Sequence, residues 1–153
     1  KEIACKCSPH EIKRYWKNIS GPILDRIDIQ IQVPRVSFDE MRSKDEGEKS
    51  KDIRERVIKA REIQKRRYKD ERIKLNAKMT HKMIEKYVRL SDDAESLLKA
   101  YAQKYKLSGR AIDKILKVSQ TIADLNGKEL IDIQCISEAL QYRLNDNITE
   151  FII

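Results

Sequence analysis

Long apolar runs are missing from this 153-residue chain: no uninterrupted stretch exceeds three residues. A bilayer span needs ~20 and the core of a secretion signal ~7–15, so membrane and secretory readings drop out. Glycine is scarce too. Its four copies, at 21, 47, 109 and 127, never take the G-x-x-x-x-G-K-[ST] spacing of a phosphate-binding loop. By that route the chain cannot cradle a nucleotide alone. Of the two histidines, neither His10 nor His81 sits in a two-histidine zinc motif, and no Ser/His/Asp or Cys/His set is close in sequence. Self-contained catalysis is not expected. Three cysteines, an odd number, make no disulfide framework and fit a reducing compartment, so cytoplasm is the expected location.

Charge is abundant. There are 33 Lys and Arg against 25 Asp and Glu, a net of +8, which favours anionic partners in the nonspecific way of any basic surface. Apolar residues make up 40%, enough for one ordinary core with appendages. The chain opens on Lys1 rather than Met, in a polar stretch bearing Cys5 and Cys7, and is expected to be a piece of something longer.

Ser8-Pro9-His10-Glu11 is a capping box with proline at the first helical position, and Ile12, Tyr15, Trp16 and Ile19 follow at helical spacing. A short helix is expected from Pro9 to about Asn18. Ser20-Gly21-Pro22 is turn chemistry, after which Ile27, Ile29, Ile31 and Val33 alternate with polar residues as in a half-buried strand. One strand cannot satisfy its own backbone, so this segment is expected to pair outside the chain or with another copy.

Ser37-Phe38-Asp39-Glu40 is a second capping box, and residues 44–50 read as an exposed connection. Residues 51–72 hold ten Lys/Arg and five Asp/Glu, a net of +5. Asp52/Arg56, Glu55/Lys59 and Glu62/Arg66 stand in the helix-supporting i,i+4 order. The narrow stripe Ile53, Val57, Ala60, Ile63 and Tyr68 predicts a long, mostly solvated helix with one thin seam. Thr80, Ser91, Ser108 and Asp132 then read as helix caps, and Asn126-Gly127 as a stop. The inner faces are Ala94, Leu97, Leu98, Tyr101 and Tyr105, then Ile112, Ile115, Leu116, Ser119, Ile122 and Ala123, then Ile133, Ile136, Leu140 and Arg143. The fold class is therefore mainly α, an antiparallel helical bundle preceded by one strand. The expected divisions are 1–36, 37–79 and 80–145.

Several candidates have a functional and a plain reading. Cys5 and Cys7 can supply half of a structural zinc site, with the other ligands elsewhere, or be two thiols at a chain end. Tyr15 with Trp16 reads as packing before base stacking. Cys135, inside a helix, reads as packing. Lys65, Arg66, Arg67 and Lys69 either track a phosphate backbone or form a solvated face balanced by acids. Arg26, between a turn and the lone strand, and Arg110, in the first turn of a capped helix, are long planar cations on rigid element ends, suited to an anion's oxygens.

The stretch Cys5-Lys6-Cys7-Ser8-Pro9, then Ile19-Ser20-Gly21-Pro22-Ile23-Leu24-Asp25-Arg26-Ile27-Asp28-Ile29 and Val33-Pro34-Arg35-Val36, closely resembles the Mg-chelatase-like, ComM/YifB-type branch of AAA+ ATPases. So do Leu75-Asn76-Ala77, Leu107-Ser108-Gly109-Arg110-Ala111, Ile122-Ala123-Asp124-Leu125 and Glu138-Ala139-Leu140-Gln141-Tyr142-Arg143, in order. The resemblance implies the end of a bacterial ATPase: the last part of its α/β core, then a helical lid, with Walker A and B segments upstream. It implies that Arg26 is an arginine finger and Arg110 a sensor 2 residue, acting on ATP and Mg²⁺ in a homo-oligomeric, hexameric ring. It also implies a helicase that moves DNA branches during competence, and possible pairing of Cys5 and Cys7 with upstream cysteines around zinc. No cofactor is expected on this chain alone.

Overall fold

The computed structural model describes residues 6–17, 26–31, 33–42 and 47–143. The expected turn at Ser20-Gly21-Pro22, the side chain of Trp16 and Cys5 lie outside the described residues. Two compact units emerge, one gathering residues 1–31 with 142–153 and the other spanning Gln32–Gln141.

In the first unit, α1 (Pro9–Lys17) starts on the expected reciprocal box. The Ser8 backbone N–H donates to the Glu11 carboxylate at 2.7 Å, and the Glu11 N–H donates back to Ser8 Oγ at 3.3 Å. These bonds satisfy two N–H groups that a helix start would otherwise leave unpaired. Packing does not follow: Tyr15, expected on a core face, is 68% exposed. The expected strand over 27–33 is likewise not formed among the described residues. Strands exist through ladder bonds with a neighbour, and this segment shows no such ladder among the described residues, although the Gln30 N–H donates to the Tyr142 carbonyl at 2.8 Å. Ile29, Ile31 and Val33 remain exposed.

The second unit begins with a short helix, α2 (Phe38–Arg42), and then the long basic helix α3 (Ser50–Arg67). A 3₁₀ turn (Asn76–Lys78) follows, then α4 (His81–Tyr87), α5 (Asp92–Tyr105), α6 (Gly109–Leu125) and α7 (Ile133–Gln141). Helix α6 is the spine: α3, α4, α7 and the 3₁₀ turn all pack on it, and α5 packs on α7. Its buried Ala111, Ile115, Ser119, Ile122 and Ala123 follow the helical period predicted from sequence. They meet Ile84, Ala94, Leu98, Cys135, Ile136 and Ala139, the rest of the bundle core. Each fully buried isoleucine contributes ~1.5–3 kcal/mol.

The caps hold where composition predicts them. Ser91 Oγ accepts the Ala94 N–H, Ser108 Oγ accepts the Ala111 N–H and Asp132 Oδ1 accepts the Cys135 N–H, at 3.3, 3.2 and 3.0 Å. Thr80 precedes α4 as expected but makes no side-chain cap bond. Gly127 ends α6 at φ 66°, a left-handed conformation that favours glycine. A parallel bridge between Leu90 and Ile131 starts α5 and α7 side by side.

Helix α3 departs from expectation in three ways. It stops at Arg67 rather than near residue 72. There Tyr68 turns inward, fully buried, donating its hydroxyl to Asn76 Oδ1 at 2.7 Å and meeting the Tyr87 ring edge-on at 5.2 Å. The Lys74 ammonium then donates to the Tyr68 and Glu71 carbonyls, each at 3.1 Å, satisfying acceptors the ended helix leaves over. The seam is also shorter than the predicted stripe: Ala60, Gln64 and Tyr68 are buried, whereas Ile53 and Val57 stay exposed. Finally, Arg56 turns away from the expected Asp52 pairing and forms a two-point ion pair with Glu48. Glu48 precedes the helix and offers both oxygens to the planar guanidinium.

Candidate functional site

The first turn of α6 combines three features that favour an anion. Arg110 is exposed one residue after Gly109, at whose α-carbon a Cβ would meet open space. The turn carries no acidic residue, whereas the first turn of α5 carries Asp92, Asp93 and Glu95. The positive end of a 17-residue helix and a guanidinium therefore face the same solvent. Surrounding residues reinforce this: 99–114 hold five Lys/Arg and one acid, Asp113. That acid is engaged, because its carboxylate bonds His81 Nδ1 at 2.9 Å. The Asp113 bond, aided by Asp113 and Glu85 charge, raises the His81 pKa above the ordinary imidazole value. His81 thus serves as a brace between α4 and α6.

Lys106 was not singled out from sequence. It closes α5 in the left-handed region at φ 50°, where a non-glycine residue is uncommon. The Leu107 N–H donates to the Ala102 carbonyl at 3.0 Å, which completes the turn leading into Ser108 and Arg110.

The basic run divides in two. Lys65, Arg66 and Lys69 are exposed and, with Glu62, line one open depression. Arg67 instead points inward and forms a two-point ion pair with Asp124 of α6, one contact being 2.8 Å. The Asp124 side chain is completely buried and that of Arg67 is 15% exposed. Burial opposes the arginine's charge, but the Asp124 carboxylate outweighs it and holds the Arg67 pKa above its usual value.

Asn76 completes the arrangement. Its Oδ1 accepts from Tyr68 and from Arg67, and its Nδ2 donates to Asp124 at 2.8 Å and to Thr121 at 3.1 Å. Gln120 donates to the remaining Asp124 oxygen at 3.3 Å, and Gln64 accepts the Asn76 N–H at 3.4 Å. A buried carboxylate is tolerable when its lone pairs are filled in this way. The network joins α3, the 3₁₀ turn and α6, and sequence inspection missed it. Its one sequence signal is an aspartate placed directly after Ile122 and Ala123 on an otherwise apolar face.

Arg26 lies in a described turn of the first unit and is exposed. Cys7 is exposed as well, while Cys135 is buried as expected for packing. Among the described residues no group of three or more His, Cys, Asp or Glu could hold a metal ion. Nor, among them, is any helix long and apolar enough to cross a membrane.

Comparison with known proteins adds context to these positions. The family model described as magnesium chelatase, subunit ChlI C-terminal, matches residues 47–143, and the one described as magnesium chelatase, subunit ChlI, matches residues 1–41. The competence protein ComM of Haemophilus influenzae is 42% identical over 139 residues, which cover 90% of this chain and 26% of that protein. The uncharacterized protein YifB of Salmonella typhimurium is 37% identical over 146 residues, 94% of this chain and 28% of the relative. The uncharacterized protein Rv2897c of Mycobacterium tuberculosis is 31% identical over 139 residues, 91% and 27% respectively. The chain therefore spans about a quarter of the length of these relatives.

Proposed function

Because this chain belongs to the magnesium chelatase ChlI family, we propose that it is the lid-bearing part of a ring-shaped AAA+ ATPase that acts on DNA. In this reading Arg26 is the arginine finger presented to a neighbouring subunit's ATP, and Arg110 is the sensor 2 residue that reads the γ-phosphate. The observation that carries it is the start of α6, where an exposed arginine shares a positive helix end with no acid in its turn. The chain's own contribution is cations for phosphate oxygens. Mg²⁺ would be held by other residues, and zinc at Cys5 and Cys7 would need further ligands. The 27–33 segment would find its strand partners in the α/β core of the assembled protein.

The test needs a longer polypeptide that carries this chain together with a phosphate loop. There, Arg26→Ala lowers ATP turnover by ~10³–10⁵ while ATP binding persists, since the finger acts on transition-state charge. Arg110→Ala gives a smaller loss, partly in nucleotide affinity. Ordinary hydrolysis by the Arg26→Ala protein sinks the proposal.

A second reading is a stand-alone basic DNA-binding module, favoured by the exposed cluster Lys65, Arg66 and Lys69. It requires the isolated chain to bind branched or single-stranded DNA with log affinity falling about 0.9 per phosphate contact per decade of salt on duplex arms and about 0.7 on single strands. Lys65→Ala or Lys69→Ala would shallow that slope. Arg67→Met would not, its guanidinium being committed to Asp124.

A further inference from the structure

An apolar groove of about 290 Å³ lies between α3, the 3₁₀ turn and the end of α6, walled by Val57, Leu75 and Leu125. At 3.6 residues per turn, the face of α3 that carries Ile53 and Val57 is flanked on its outer edge by Arg54, Arg61 and Lys65. The helix's acids Asp52, Glu55 and Glu62 fall on the opposite side. The groove is thus apolar inside and cationic along its open edge. Nucleic acid would use the cations but leave the apolar walls wet. An occupant with exposed aliphatic side chains among carboxylates satisfies both.

The same unit presents such a surface. Leu130 and Ile133 are 43% and 44% exposed, beside the Leu90–Ile131 bridge that fixes the start of α5. The Ser91 N–H donates to the Ile131 carbonyl at 2.9 Å, which sets the exposed acids Asp92, Asp93 and Glu95 next to this corner. Of two nearby cations, one is offset by a carboxylate and the other is turned onto backbone carbonyls. Lys128 pairs with Asp132, and Arg89 folds onto the Glu85 and Val88 carbonyls. Groove and corner share no residue, and Val57 and Leu125 in the groove are each 43% exposed, so both are open in one molecule.

We propose that the groove on α3 seats the Leu130 and Ile133 corner of a second copy of the chain, in a head-to-tail contact. A heterologous contact of this kind closes into a ring or extends as a filament. The inference deepens the ring reading by naming surfaces within the lid. A patch this small binds weakly by itself, with Kd on the order of µM to mM, and its strength falls with salt.

Sedimentation equilibrium of the 153-residue chain, without nucleotide, tests it. The wild-type chain gains mass with concentration, less so in high salt. Val57→Glu blocks only the groove and Leu130→Glu only the corner, so each variant alone stays monomeric. Their equimolar mixture retains one intact pairing and forms a dimer that grows no further. Circular dichroism melting establishes that the variants fold. Should either fail, Arg61→Glu and Asp92→Lys make the same complementation test on exposed residues, each lowering affinity at least about tenfold alone. A chain that stays monomeric throughout, association untouched by the variants, or a mixture that remains monomeric overturns the proposal. Mass is read without ATP, so failure here leaves the arginine-finger reading standing, and normal hydrolysis by the Arg26→Ala protein leaves this contact standing.

Discussion

At the start of helix α6 Arg110 stands in solvent with no acid in its turn, while at the helix's other end Asp124 is sealed from solvent and gripped by Arg67. The two arginines are alike as residues, and each lies near a run of further cations. Their surroundings separate them. Arg67 has an uncompensated carboxylate to meet, so its charge is used up in joining α3 to α6. Arg110 meets no carboxylate in its own turn, and Asp113 nearby is bonded to His81. Outward charge is available to a ligand, and inward charge is spent on architecture.

Breaking the inward end has the largest expected effect. Arg67→Met strands the Asp124 carboxylate in the core and lowers stability by ~3–5 kcal/mol, read by urea unfolding. Arg67→Met with Asp124→Leu recovers much of that loss, because no buried charge is left without a partner. A single-variant loss below about 1 kcal/mol would erase the contrast between the two ends.

At the outward end the structural effects are smaller. Ser108→Ala removes the acceptor for the Ala111 N–H and costs ~1 kcal/mol. Arg110→Ala leaves stability within about 0.5 kcal/mol, as an exposed substitution should, so any loss of nucleotide response reports on the ligand alone. A large drop in stability would instead move Arg110 into the architecture with Arg67.

The His81 brace sharpens the comparison least and in a pH-dependent manner. Its pKa is raised in the folded chain, so its contribution is fully present below the unfolded imidazole value near ~6.5. It is lost as pH rises through the folded value. The melting-temperature gap between the wild-type chain and His81→Ala is therefore widest in mild acid and narrows towards alkaline pH. A gap that widens with rising pH would contradict the Asp113 pairing.

These ends also differ in how readable they were. Ser108, Gly109 and Arg110 form a local pattern, since a cap needs only a serine hydroxyl and the N–H three residues on. The same is true of Ser8, Ser91 and Asp132, each of which makes its expected bond. Arg67 could not be separated from Lys65, Arg66 and Lys69 by composition, because its partner is 57 residues away. Tyr68, read as one position of the apolar seam of a longer helix, is buried as that reading has it but is also the residue on which α3 ends, for its hydroxyl and ring find Asn76 and Tyr87 only after the chain has turned. Tyr15 shows the reverse. Its helical spacing predicted a packed face, and the nine-residue α1 leaves it exposed.

Local rules determined where α1, α5, α6 and α7 start, where α6 stops, which face of α5 and α6 turns inward, and that Arg110 sits on a positive helix end. All of these depend on neighbours within a few residues. Ile133, expected on the inner face of α7, is exposed instead. Which cation is buried, where α3 stops, how α5 and α7 are set side by side at Leu90 and Ile131, and which apolar side chains stay uncovered were decided by tertiary structure alone. Those outcomes depend on charges, rings and backbone groups brought together from distant positions, and a buried charge takes whichever partner the fold delivers.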